Sequence, residues 1–339
     1  MTKWLQLSPE QRLLTLQRVS SETGISVKAI EKDWWVTLAL KAIFQTEYAG
    51  HLLFKGGTSL SKSWKLIDRF SEDVDLALDR DYFGEVDEWS HSQIKKLKKK
   101  ACAFTSNELK TAIEEQFFEL GVPKGMLSIR AAEVKDTMPD KDPQELLISY
   151  PTLIEPVEYV EEFVKIEVSA RSLKEPWKEC SIKSLLDEYL PGRLFSGTAF
   201  RIPSVEPKRT FLEKAFLLHE EFQKVDGKIR HFRMSRHLYD LVRLMHTEHG
   251  ENALNDDKLY DDIVKHREVF AFLPWVDYSL HAKETLSFIP PASIIESYRD
   301  DYRTMTTTMI YGNPPEFDDL MNSLNQLLRA FREKGKQSK

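Results

Sequence analysis

The chain has 339 residues, enough for one large domain or two ordinary ones, each burying a proper core. Charged residues make up 30% and the net charge is −6, which excludes a basic nucleic-acid coat and leaves any nucleic-acid contact to local patches. Only two cysteines occur, Cys102 and Cys180, without His or Cys neighbours at ligand spacing, which argues against a zinc site or a disulfide framework. No apolar run approaches the roughly 18 residues of a membrane span, and the N-terminus lacks a signal-peptide apolar region, so the expectation is a soluble, cytoplasmic protein with no membrane partner.

In chain order, Ser8-Pro9-Glu10-Gln11 has the form of a capped helix start with Pro in the first turn. Leu13, Leu14, Leu16 and Val19 supply its apolar face. Ser26 opens a second helix, in which Val27, Ile30, Trp34, Trp35, Leu38, Leu40 and Ile43 recur near helical spacing, with Glu31-Lys32-Asp33 read as part of a charged outer face.

The stretch from Leu52 to Leu78 then concentrates chemistry. A short apolar strand (Leu52, Leu53, Phe54) leads into a Gly56-Gly57 turn, a helix rich in hydroxyls and lysines, and a second strand carrying Asp73 and Asp75. Carboxylates at i and i+2 on a strand point to one face and repel, an arrangement tolerated when a divalent cation binds it or one member is protonated. Mg²⁺ suits such a pair, because it takes one or two carboxylates and leaves its other positions to water and phosphate oxygens. Gly56 and Gly57 let backbone approach a ligand closely, the following helix offers its N–H groups, Thr58 and Ser59 add hydroxyls, and Lys62 adds a charge one turn on. A phosphate cradle beside a metal pair points to a nucleoside triphosphate site.

Lys55-Gly56-Gly57-Thr58-Ser59-Leu60, followed by Arg69-Phe70-Ser71-Glu72-Asp73-Val74-Asp75-Leu76, resembles the signature of the AbiEii/AbiGii nucleotidyltransferase toxins within the DNA polymerase β-like superfamily. Glu31-Lys32-Asp33-Trp34 resembles a segment those toxins carry ahead of the glycines.

Further along, Ser90 to Leu120 reads as a long helix with lysines at 95, 96, 98, 99 and 100, either a solvated face or a landing strip for RNA phosphates. Strands are expected at Leu127–Ala131, Glu145–Tyr150 and Phe163–Ser169. The last alternates, with Val164, Ile166 and Val168 facing one way and Lys165, Glu167 and Ser169 the other. The resemblance implies that Glu167 is a third carboxylate, binding a second metal or accepting the attacking hydroxyl's proton; an exposed strand glutamate is the alternative. A loop-rich connection with Pro176, Pro191, Pro203 and Pro207 follows, with Thr198–Pro203 as one more edge strand.

From Lys208 the chain turns helical, and Lys214 sits among Phe211, Leu212, Phe216 and Leu218, where a lysine is expected to be paired. This segment and Arg233 to Arg243 resemble the C-terminal motifs of the same toxins, except that His237 stands where an aspartate is common. The resemblance implies that Lys214 steadies the triphosphate, with Arg236 and Asp240 beside it; a structural Lys–Asp pair is the alternative. Helices at about 256–272, 293–302 and 315–334 complete this half, Trp275, Tyr278, Tyr298, Tyr302 and Tyr311 supply aromatics, and the tail from Lys334 should fray.

The expected fold is therefore α/β (α+β): a mixed-sheet nucleotidyltransferase domain over residues 1–205 and a helical domain over 206–339 that contributes Lys214 and Asp240. The resemblance implies a Mg²⁺-dependent toxin that moves a nucleotide from an NTP to an RNA acceptor, with a tRNA 3′ end the acceptor known for the family. It would serve a toxin–antitoxin or phage-defence pair, with a cognate antitoxin encoded separately. The alternatives are a small-molecule nucleotidyltransferase and a non-catalytic NTP-binding interaction protein.

Overall fold

The computed structural model describes residues 1–86, 88–134, 141–155, 162–173 and 176–337. The chain divides into two compact units, one made of Met1–Trp64 and Phe70–Val205, the other of Lys65–Arg69 and Glu206–Lys339.

In the first unit, α1 (Pro9–Thr23) begins with a closed capping box, since the Ser8 side chain accepts from the Gln11 backbone and the Gln11 side chain from the Ser8 backbone. α2 (Val27–Ile43) is capped by Ser26 and is buried nearly all round. Glu31, Lys32 and Asp33 do not form the charged outer face expected from sequence; they lie inside, each with a partner. Glu31 accepts from Thr152 and from the Leu153 backbone, Lys32 pairs with Glu72, and Asp33 pairs with Lys62. Burial of charge is tolerated where it is paired in this way. Trp34 and Trp35 of this helix continue a run of ring contacts from Trp4, tilted on Trp34, to Tyr150, stacked on Trp35.

The sheet has seven strands: β1 (Leu52–Lys55), β2 (Val74–Leu78), β3 (Ser128–Ala131), β4 (Gln144–Ser149), β5 (Phe163–Ser169), β6 (Trp177–Ile182) and β7 (Phe200–Val205). Their order is β3-β4-β5-β2-β1-β7-β6. It is mixed, with β2–β5 and β1–β7 parallel and the remaining pairs antiparallel. The alternation of β5 holds: Val164, Ile166 and Val168 are buried, while Lys165, Glu167 and Ser169 are only partly covered on the other face. Two strands differ from expectation. β6 occupies part of the stretch read as loop, and β7 is not an edge strand but lies between β1 and β6. Pro203, which cannot donate to a ladder, lies opposite Glu179 of β6, beside Ser204, which is opposite Phe54 of β1.

The remaining helices of this unit are α3 (Gly56–Lys62), α4 (His91–Phe104), α5 (Lys110–Glu119) and α6 (Leu185–Tyr189). A wide helical turn at Thr105–Leu109 joins α4 to α5, so the long helix expected there is nearly continuous. Ile94, Leu97 and Phe104 anchor one face of α4, which leaves Lys95, Lys96, Lys99 and Lys100 exposed on the other.

The second unit is helical: α7 (Pro207–Glu221), α8 (Ser235–Met245), α9 (Glu248–Asn255), α10 (Asp257–His266), α11 (Ile295–Thr308) and α12 (Phe317–Gln337). Phe211, Leu212, Ala215, Phe216 and Leu218 bury α7, and Phe211 stacks on Phe331 of α12. Tyr298 and Tyr302 are core residues whose hydroxyls donate to backbone carbonyls, whereas Trp275 is exposed beside Lys224. The segment Lys65–Arg69 joins this unit through a bridge between Arg69 and Ile310 and a bond from the Tyr311 backbone to the Asp68 carbonyl. α12 continues to Gln337, past the point where fraying was expected, and the last two residues of that tail lie outside the described residues. Among the described residues, no helix is long and apolar enough to cross a membrane.

Candidate active site

The residues singled out from sequence fall into two sets, one in each unit. In the first unit the β1–α3 turn and the start of β2 come together around Gly56. Its φ is +79°, and a Cβ built there would lie 2.0 Å from Asp75 Oδ2, 2.8 Å from Asp75 Cγ and 3.0 Å from Asp75 Cβ. The Asp75 carboxylate therefore lies directly over the glycine backbone, in space that any side chain would fill. This is the physical need behind Gly56: a left-handed turn that also admits a carboxylate against the main chain.

Asp73 lies immediately ahead of β2 and is buried, while Asp75 is partly covered on the strand itself. Registry then sets a row of charged side chains across one face of the sheet. Lys55 of β1 lies opposite Asp75, Asp75 opposite Glu167 of β5, and Glu167 opposite Glu145 of β4. Residues opposite each other share a face, so Asp75 and Glu167 are neighbours. Lys165, two residues before Glu167, reaches the same group: its Nζ is 2.8 Å from Glu167 Oε1 and 3.6 Å from Asp73 Oδ2. Sequence reading placed Lys165 and Glu167 on one face but assigned the lysine no role.

The hydroxyls and lysine of α3 are used within the fold. Thr58 donates to the Asp73 carbonyl and lies 2.9 Å from Ser71 Oγ, and Ser59 donates to the Gly56 carbonyl at 3.0 Å; both side chains are buried. Thr58 thus holds the segment that presents Asp73. Lys62 is buried as well, with its Nζ 2.5 Å from Asp33 Oδ1, and Asp33 Oδ2 accepts from the Leu185 backbone. Lys32 and Glu72 form a second buried pair, adjacent in sequence to Asp33 and Asp73 respectively. Of the cradle read from sequence, the backbone at Gly56 is the part whose close approach to Asp75 the fold provides.

The second set centres on Asp240, which is fully buried on α8. Arg69 grips it with two bonds of 2.7 Å, from Nε and Nη2, and Lys214 Nζ lies 2.9 Å away. Burial alone would raise this carboxyl, but Arg69 and Lys214 hold it well below the ordinary carboxylate range. Burial lowers the Lys214 ammonium, and Arg69 adds to this against the pull of Asp240. His237 Nδ1 is 3.4 Å from Lys214 Nζ, and burial together with Lys214 and Arg236 keeps the imidazole neutral. Arg69 was missed as a partner, although it stands at the head of the Arg69-Phe70-Ser71-Glu72-Asp73 motif.

For Mg²⁺ the donor chemistry of Asp73 and Asp75 is suitable: hard carboxylate oxygens, one of them set against bare backbone. Among the described residues, no group of three His, Cys, Asp or Glu side chains is gathered at metal-binding geometry.

Comparison with known proteins matches residues 38–323 to the family model described as nucleotidyl transferase AbiEii toxin, type IV toxin–antitoxin system. No curated protein matches the sequence. Among solved structures, the chain is similar to MenT4, a nucleotidyltransferase toxin from Mycobacterium tuberculosis H37Rv, at 16% identity and a TM-score of 0.49, covering 96% of this chain and 89% of that one. The family match spans far more than half of the sequence and includes both sets of charged residues, and the chain belongs to the AbiEii family of nucleotidyltransferase toxins of type IV toxin–antitoxin systems.

Proposed function

We propose that this toxin transfers a nucleoside monophosphate from an NTP to an RNA acceptor, the 3′ end of a tRNA being the acceptor class that the family suggests. The observation that carries the reading is the Asp75 carboxylate lodged over Gly56, with Asp73 held beside it by Thr58. Asp73 and Asp75 would hold Mg²⁺, which when bound supplies charge neutralisation at the phosphates. The backbone of Gly56 and Gly57 would accommodate the phosphates. In the second unit Asp240 keeps Lys214 in place, and the family suggests this lysine as the group that neutralises charge on the departing pyrophosphate. The acceptor hydroxyl oxygen bonds to the α-phosphorus as the bond to the β-phosphate breaks. Pyrophosphate leaves with that electron pair, and the hydroxyl proton passes to Glu167.

The exposed lysines of α4 support an RNA acceptor, since they offer the sequence-independent phosphate contacts that a polyanion uses. Cys102 and Cys180 are buried and neither is in a disulfide, which suits action in a reducing cytoplasm. A separately encoded antitoxin, and a role in phage defence, follow from the family by analogy.

The test is incubation of the protein with total bacterial RNA, Mg²⁺ and each α-³²P-labelled NTP, beside Asp73→Ala and Asp75→Ala. The expected result is label in a tRNA-sized band with the intact protein alone. Absence of label in RNA, from folded protein that binds NTP, overturns the RNA acceptor and favours a small-molecule one.

A further inference from the structure

The same carboxylate face carries a cation of its own. Lys165 and Glu167 lie two residues apart on β5 and so project to one side, and the parallel register sets Glu167 beside Asp75. Lys165 Nζ thereby bridges Glu167 Oε1 at 2.8 Å and Asp73 Oδ2 at 3.6 Å. Two-metal transfer sites place their second ion a few ångströms from the first, shared between carboxylates. Here the gap between Asp73 and the third carboxylate is filled by an ammonium. The side chains involved are only partly exposed, which preserves the ammonium's strength against water. The next carboxylate along the row, Glu145, is paired with Lys141 at 3.0 Å.

We propose that this toxin works with a single divalent cation, held by Asp73 and Asp75, and that Lys165 takes the place of a second one. The inference rests on the metal-binding reading of Asp73 and Asp75 given above. Glu167 keeps Oε1 on Lys165, which positions the lysine, and leaves Oε2 for the acceptor proton. Lys165 then stabilises the acceptor oxygen as negative charge grows on it, the task a second metal performs elsewhere. A fixed +1 group in place of a dication also makes the acceptor half of the site independent of metal concentration.

The test counts ions directly, by electron paramagnetic resonance titration of Mn²⁺ into the full-length protein without nucleotide, with thermal melts to show that each variant is folded. The expected result is one Mn²⁺ per chain for the intact protein and for Lys165→Arg, and two for Lys165→Met, in which no ammonium stands between Asp73 and Glu167. Turnover of Lys165→Met falls at least tenfold in kcat with little change in KM for the NTP, and Lys165→Arg recovers most of it. Two Mn²⁺ in the intact protein, or unchanged kcat in Lys165→Met, overturns the inference while leaving the metal pair standing. No Mn²⁺ bound by folded protein, with Asp75→Asn behaving identically, overturns both the inference and the metal reading beneath it.

Discussion

Replacing Gly56 by alanine is the most economical perturbation of the site, because one methyl group meets both the backbone and the carboxylate that define it. At φ +79° an L-residue is in the left-handed region, at a cost of about 1–2 kcal/mol. The new Cβ would lie 2.0 Å from Asp75 Oδ2 and 2.8 Å from Cγ, so moving the carboxylate tip is not enough and the whole side chain must turn. Forcing Asp75 off its rotamer adds about 0.5–1.5 kcal/mol. The sum, about 1.5–3.5 kcal/mol, corresponds to a fall in Tm of roughly 3–14 °C for a unit of this size. The protein therefore remains folded near room temperature with Asp75 displaced. Its affinity for Mn²⁺ and its kcat/KM then fall at least about 10–100-fold, the range associated with misoriented metal ligands. Paired melting, Mn²⁺ titration and turnover measurements separate the two effects. A Gly56→Ala protein with reduced Tm but unaltered Mn²⁺ affinity and turnover would refute the claim that Asp75 is placed over Gly56 to hold the cation.

Lys62→Ala leaves Asp33 buried without its cation, so a stability loss of about 3–5 kcal/mol by chemical denaturation is expected; a variant of normal stability with a raised KM for the NTP would instead make Lys62 a phosphate ligand. Asp240→Ala strands Arg69 and Lys214 in the second unit, with a comparable loss, and Asp240→Asn recovers only part of it because it cannot balance two cations. For the pH dependence, the Asp240 carboxyl is lower folded than unfolded, so the stability it contributes is present above its ordinary value of 3.8 and is lost as pH falls below that value toward its folded one. His237 is likewise lowered, from 6.5, so the folded state binds fewer protons and stability declines as pH falls below about 6.5; His237→Gln should flatten that part of a melting-temperature profile.

Much of the fold was legible because its signals are local. The Ser8–Gln11 capping box and the alternation of β5 each predict their element from a few adjacent residues. β6 escaped notice because only Cys180 and Ile182 of its six residues are buried, so Trp177-Lys178-Glu179 reads as exposed loop. β7 looked like an edge because of Pro203, and only the topology reveals that it lies between two strands. The charges of α2 looked solvated because their partners are remote: Lys32 reaches Glu72, 40 residues on, and Asp33 reaches Lys62, 29 residues on. In the site, Asp73, Asp75 and Gly56 could be read from residue type and spacing. The engagement of Thr58 and Lys62 within the fold could not, because a hydroxyl or an ammonium suited to phosphate is equally suited to a carbonyl or a carboxylate. Lys165 could have been found, since the same alternation that exposed Glu167 put the lysine beside it.

In the proposed reaction an acceptor oxygen bonds to the α-phosphorus of an NTP at this face as pyrophosphate leaves. Parallel reactions with α-³²P- and γ-³²P-labelled samples of the same NTP, with bacterial RNA and Mg²⁺, test it most directly. The expected result is α-label in the acceptor and γ-label in pyrophosphate, both abolished by Asp75→Asn. γ-Label in the acceptor, or in orthophosphate with no α-label transferred, would contradict it.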